Sequence, residues 1–507
     1  MVDIVLNQTT KFMNRKTKQL ARRSVTAIAC TLALLTASCS SDNNEEPKPQ
    51  DNNPEVSYKG NVAYSDGLVF NGNELGNGTQ NFHLTGDVTL PKGTYLLKGW
   101  VYVDEGARLR IPAGTVIKGD KGTMAALIVE PGGYCEMKGN AREPIVMTSA
   151  QAPGQRRPGD WGGLIVCGKA LNNQGTQQIE GGPTTIHGGN VRTDNSGIYS
   201  YIRVEFAGYP FDTDKEINSV TFGSVGSGTQ IDHIQVSYSN DDSFEWFGGS
   251  ANCSYLVAYK GWDDDFDTDN GFDGNVQYCL AVRDPRIADT SQSNGFESDN
   301  NASGADTTPF TSARFSNVTL IGPMTAINSG FENNANYITA GDLFPDNGSK
   351  LGLFQSAVQI RRSSKLNISN MIAVGFPVGL IVDGEKGHSV DYARDGAFKL
   401  ENCIFAGMGV IGSDKNKEYE DYLYDYTTKT EDRIRDSFSH TFFLSGLGNR
   451  ILTETLLNLT DPARLGQNYC PPVMISDGRG GYIGAFRDAS DNWLSGWTNF
   501  DPQHTVY

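Results

Sequence analysis

The chain has 507 residues, with 59 acidic against 42 basic side chains and a net charge of −17. That balance excludes nucleic acid and a polybasic hold on lipid headgroups, since phosphate-rich surfaces repel it. Eight scattered cysteines with no C-x-x-C pair exclude a zinc framework or a disulfide-stapled miniature domain.

In chain order, Arg22 and Arg23 precede an apolar run, SVTAIACTLALL, that is too short to span a bilayer as a helix. It ends in TASC at Cys39. A basic flank, a short apolar core and small residues before a cysteine form a bacterial lipoprotein signal over 1–38, with Cys39 as the lipidated residue. A start at Met13 gives a leader of ordinary length. Cleavage would remove six basic residues and one acidic one, leaving the exported chain more acidic still. Its expected attachment is to the outer membrane, through the lipid on Cys39. Residues 39–57, polar and proline-bearing, read as a flexible tether.

From about Gly60 glycine is frequent and short β-branched runs alternate with Gly/Asn/Asp turns: TYLLKGWVYV, RLRIPAGTVIKG, ALIVEPGG, GGLIVCG, IDHIQVSYS, YLVAYKG. Closely spaced short strands predict an all-β chain, and their continuous apolar runs fit parallel pairing. Within it, GWDDDFDTDNGFDG (Gly261 to Gly274) holds six aspartates in fourteen residues. An EF-hand would have glycine where Asn270 stands and would be flanked by helices. Instead, IDHIQVSYSNDDSFEWFGG, CSYLVAYKGWDDDFDTDNG and VQYCLAVRDPRIADTSQSNGFESDN align as repeats. Phe244, Phe266 and Phe296 share a column, each followed by an acid (Glu245, Asp267, Glu297). Asp242, Asp264 and Asn294 stand two places before them, and Ser239, Lys260 and Arg283 fall together upstream. A period near 22 is one coil of a β-solenoid, stacked at ~4.8 Å. The fold class is therefore a right-handed parallel β-helix over 58–410, with 411–507 as an irregular, partly helical C-terminal cap covering its open end.

The motifs GDWGGLIVCGKA, IEGG at Ile179, DNSGIYSYIRVEFAG, EINSVTFGSVGSGTQIDHIQVSYSNDDSFEWFGG and GWTNFDPQHTVY resemble a family of Bacteroidota surface lipoproteins. The resemblance implies a right-handed β-helix of the pectin-lyase-like type. Serine and acidic residues after Cys39 resemble the surface-export signal of such lipoproteins, which implies a cell-surface location.

Stacked carboxylates at ~4.8 Å repel by about 3.5 kcal/mol at an effective dielectric of 20, and by about 0.9 in water. A file of them in a groove therefore calls for a cation, and oxygen-only ligands suit Ca²⁺. The candidate ligands are Asp242, Glu245, Asp264, Asp265, Asp267 and Glu297. Lys260 and Arg283 beside them are the candidate bases of a Ca²⁺-dependent uronate lyase. The competing reading is that they pair with neighbouring acids. Trp161 and Trp262, next to glycines on turns, are candidate stacking platforms for sugar rings. GLIVCGKA lacks the Ser/Thr of a phosphate loop, since Ala170 stands there. The leading functional expectation is glycan or nutrient binding beside an outer-membrane uptake system such as a TonB-dependent receptor. A polysaccharide lyase and a structural adhesin are its rivals.

Overall fold

The computed structural model describes residues 73–212, 215–325, 328–457, 469–471 and 473–507, together with the backbone of strands Ser57–Lys59 and Val62–Asp66. The signal segment, Cys39 and most of the tether lie outside the described residues.

Two long sheets of 13 and 16 strands run side by side, joined coil after coil almost wholly by parallel pairing. This is a right-handed parallel β-helix. Within the first sheet the register places Phe82, Val101, Leu127, Leu164, Val220, Phe244, Phe266 and Phe296 in one inward column. All are buried in the main core. The three phenylalanines stack as expected, with ring centroids 5.8 and 5.3 Å apart. Side chains alternate along a strand, so the next residue of each points outward. The outer column reads His83, Tyr102, Ile128, Ile165, Thr221, Glu245, Asp267 and Glu297.

In the second sheet the long strands bend once per coil. Tyr201, His233, Tyr255, Tyr278, Asn317, Asn370 and Asn402 occupy the corner, all with φ between 52° and 62°. A left-handed residue with a Cβ costs roughly 1–2 kcal/mol. Stacking of four of these rings offsets it, with His233 4.1 Å from Tyr201 and 4.4 Å from Tyr255, and Tyr255 4.8 Å from Tyr278. His233 is thus a structural residue.

The helix continues past the expected boundary at 410, with strands Val410–Ser413 in one sheet and Arg450–Leu452 in the other. The helix Phe438–Ser445 covers the end: Phe443 stacks on Phe405 at 3.9 Å, and the Asp414 carboxylate accepts the N–H groups of Phe438 and Ser439. Residues 482–507 do something else. They run back along the outside of the second sheet, over the bent corner. Gly484 N–H donates to Asn370 O, Trp493 packs edge-on against Tyr255, Trp497 against Tyr201 and His233, and the Tyr507 hydroxyl donates to Glu205 at 2.7 Å. This segment is a lateral strap, because aromatic side chains at that corner need cover as much as the open end does.

Between strands Gly163–Cys167 and Gly197–Glu205 an insertion carries the hairpin Gln177–Gln178/Ile186–His187. Ile179 from it, with Ile217, packs on Trp100, Tyr102, Ile128 and Ile165. The insertion therefore roofs the middle of the outer column and leaves a cavity on each side.

Candidate functional site

Beyond the roof, the outer column turns acidic. Two adjoining cavities of about 480 and 400 Å³ share Glu216, Asp241, Asp263 and Ser291. The second is lined by nine carboxylates: Glu180, Glu216, Asp241, Asp242, Glu245, Asp263, Asp264, Asp267 and Glu297. Arg361, Arg362 and Lys417 line it as well. Two triads bring one carboxylate oxygen from each member within 4.8 Å of the others: Asp241, Asp242 and Asp263, and Asp242, Glu245 and Asp267. Asp242 belongs to both.

The backbone explains how such crowding is held. Asn218 Oδ1 accepts the N–H of Asp242 at 3.1 Å, Asp242 Oδ1 that of Asp264 at 2.9 Å, Asp264 Oδ1 that of Asn294 at 2.5 Å, and Asn294 Oδ1 that of Ser356 at 3.0 Å. One side chain per coil thus satisfies the first N–H of the next coil, a requirement for buried backbone. The remaining oxygens are poorly served. Glu245 accepts from Asn218 Nδ2, whereas Asp267 Oδ1 and Asp263 Oδ1 are buried without any donor. Burial first, then neighbouring carboxylates, pushes Asp241, Asp242, Glu245, Asp263 and Asp267 far above the usual carboxylate range. Asp264 rises to about 6; burial lifts it, while the Asn294 N–H and the guanidinium groups of Arg283 and Arg361 hold it down.

Several expected site residues stand elsewhere or do something different. Arg283 is 3 % exposed, with Nη1 donating to Asp265 at 2.9 Å and to Asp263 O, and Nη2 to Trp262 O. It ties down the aspartate-rich turn and cannot act as a base, and Asp265 is its buried partner rather than a groove ligand. Lys260 pairs with Asp284 at 3.2 Å and lies near the rings of Tyr238 and Tyr259. Burial lowers its pKa, but Asp284 and the two tyrosines outweigh this and leave it above the ordinary lysine value, fully protonated. The register sets Tyr238, not Ser239, opposite Lys260. Glu297 lines the groove, but its carboxylate is claimed by Arg361, which also holds Asp299 at 2.8 Å.

The two tryptophans offer no platform, since both are 0 % exposed. Trp161 Nε1 donates to Glu205 O, and its ring fills the space above Gly119, where a Cβ would come within 2.5 Å of it. Trp262 packs edge-on against Phe344. Tryptophan beside glycine marked close packing at these turns, not exposure.

Of the expected ligands, Asp242, Glu245, Asp264 and Asp267 do converge. Asp241 and Asp263 were missed, although each adjoins a residue of the Asp242/Asp264 column. Arg361 and Arg362 carry no local signal, because a long insertion separates them in sequence from the neighbouring coil that they face, and Glu180 and Glu216 stand on hairpins between the strands of the coils. The six cysteines of the described residues are buried and free, matching small apolar core residues.

A pectate-lyase-like beta helix domain model matches residues 82–441. Among solved structures, the Dettilon tailspike protein is similar at 12 % identity, with a TM-score of 0.23 and coverage of 66 % of this chain and 62 % of that one. No curated protein matches this chain. The model spans well over half of the sequence and names the fold that the stacked coils show: the chain belongs to the pectate-lyase-like beta helix domain family.

Proposed function

We propose that the protein is a lipid-anchored cell-surface protein that binds an acidic glycan through Ca²⁺ held in the carboxylate groove. One observation carries the metal. Asn218, Asp242, Asp264 and Asn294 do the same backbone job on successive coils, and the neutral amides do it as well as the carboxylates. The charges at 242 and 264 are surplus to the fold, in a pocket lined by nine carboxylates. Surplus buried charge persists where it serves a ligand. Oxygen-only donors fit Ca²⁺, with Asp241, Asp242 and Asp263 or Asp242, Glu245 and Asp267 as its holders. A Ca²⁺ ion there would offer its open positions to sugar carboxylates and hydroxyls, which the bare groove would repel. The anchor rests on the leader and Cys39 in the sequence, and a role beside an uptake receptor such as a TonB-dependent one follows from that placement.

Calorimetric titration of the purified protein with CaCl₂, followed by retention on immobilised polygalacturonate, alginate and chondroitin, tests this reading. Binding that needs Ca²⁺ and is lost in Asp242→Asn is the expected result. Retention indifferent to chelator, or absent throughout, overturns it and favours a spacer or adhesin.

A lyase is the second reading, favoured by the basic side chains in the same groove. Its base would be Lys417, exposed at the rim and without an ion pair among the described residues, rather than Lys260 or Arg283. Ultraviolet absorbance from an unsaturated uronate, abolished by Lys417→Ala, would establish it.

A further inference from the structure

On the other side of the roofing insertion lies a second cavity of about 660 Å³, lined among others by His83, Asp104, Glu130, Lys169 and Asn190. It stands on the same outer column as the acidic groove, with His83 and Tyr102 at one end and Glu245 and Asp267 at the other. His83 lies flat on Tyr102 at 4.6 Å, and its Nδ1 is 2.5 Å from Asp104 Oδ1. The ring is therefore fixed by a stack on one side and a carboxylate on its edge. Glu130 is fixed from the opposite wall, where Thr185 Oγ1 of the insertion donates to Oε1 at 2.8 Å. Among the described residues none donates to Asp104 Oδ2 or Glu130 Oε2.

Two immobilised carboxylates with spare acceptor oxygens, in an open cavity, are partners for hydroxyl donors. A metal ion fits less well. Among the described residues no third ligand atom of His, Asp, Glu or Cys stands close enough to enclose one, in contrast to the acidic groove. An anionic ligand is disfavoured too, because Asp104 and Glu130 face the cavity while Lys169 is held by Glu105 at its rim. The chemistry left is that of a neutral, hydroxyl-rich molecule, and the volume suits a short oligosaccharide rather than one small polyol.

We propose that this cavity is a second saccharide site, specific for neutral sugars and independent of Ca²⁺. The insertion builds one wall of it through Ile186 and Gly188 to Val191, steers Glu130 through Thr185, and reaches the acidic groove through Glu180, so one element shapes both sites.

The test is saturation-transfer NMR and calorimetry on the whole exported chain with neutral hexasaccharides of xylose, mannose, glucose and galactose, in excess chelator. Saturable binding of at least one, weakened ~10-fold or more in Glu130→Gln and in Asp104→Asn, is expected, with melting temperatures within a few degrees of wild type. Asp242→Asn should leave this binding intact, which separates the site from the Ca²⁺-dependent groove. No binding by any hexasaccharide, binding that survives both cavity variants, or binding that appears only with Ca²⁺ would each overturn the proposal. Should Asp104→Asn fail to fold, Thr185→Val, which removes only the hydroxyl steering Glu130, gives the second reading of the same cavity.

Discussion

Asp265, with its partner Arg283, and Asp264 show how differently two acids in one aspartate run can be used. The Asp265–Arg283 ion pair is wholly enclosed, and Arg283 also caps the carbonyls of Asp263 and Trp262. Removing one partner strands the other, so Arg283→Ala should cost ~3–5 kcal/mol, read by denaturant unfolding. Burial also makes acids of this run hold on to their protons. Asp264 and Asp269 have carboxyl groups raised by burial to about 6, and Asp265 to about 7. A raised folded-state pKa means the native protein holds protons that the unfolded chain has released. That stabilisation is complete below about 3.8 and is lost as pH rises through 6 to 7, at ~1.4 kcal/mol per pKa unit. In chelator, the melting temperature should therefore fall between pH 4 and 7, and CaCl₂ at pH 7 should restore it through preferential binding to the native state. Asp264→Asn keeps the backbone bond to Asn294 and should flatten the pH response, and Asp242→Asn, which keeps the bond to Asp264 N–H, should abolish the calcium shift; a shift unchanged in Asp242→Asn would count against the groove as the binding place.

Among the elements, the strands with their phenylalanines were legible in the sequence because a solenoid repeats itself and Phe244, Phe266 and Phe296 announce the period. Half of the site followed from the same arithmetic: Asp242, Glu245, Asp264 and Asp267 sit at fixed offsets from those rings. The other half did not. Glu180 and Glu216 come from between the coils, and Arg361 and Arg362 from the turn after strand Ser356–Ile360, 62 or more residues from their partners, distances that no periodicity spans. The tryptophans misled for another reason: glycine beside a large ring signals room for the ring as readily as a turn in solvent. Phe266, stacked between two neighbours, should be the costliest core position to truncate, and Phe266→Ala should lose ~3–5 kcal/mol. Loss of calcium response in that variant would follow from displacement of Asp267, its neighbour on the same strand.

For the whole molecule, the lateral strap changes the physics of a stacked array. An ordinary solenoid is held by nearest-neighbour interfaces, so its ends can melt while its middle survives. Here residues 482–507 tie coils that never touch one another: Asn317 Nδ2 donates to Tyr482 O, Gln235 Nε2 to Asn499 O, Arg156 to Pro502 O and Lys118 to Tyr507 O. Early and late coils thereby share one fate, and heat denaturation should be a single cooperative event with equal calorimetric and van't Hoff enthalpies. Shortening the chain after Thr498 should split that event in two, with the coils around Glu205, deprived of the Tyr507 hydroxyl, melting first.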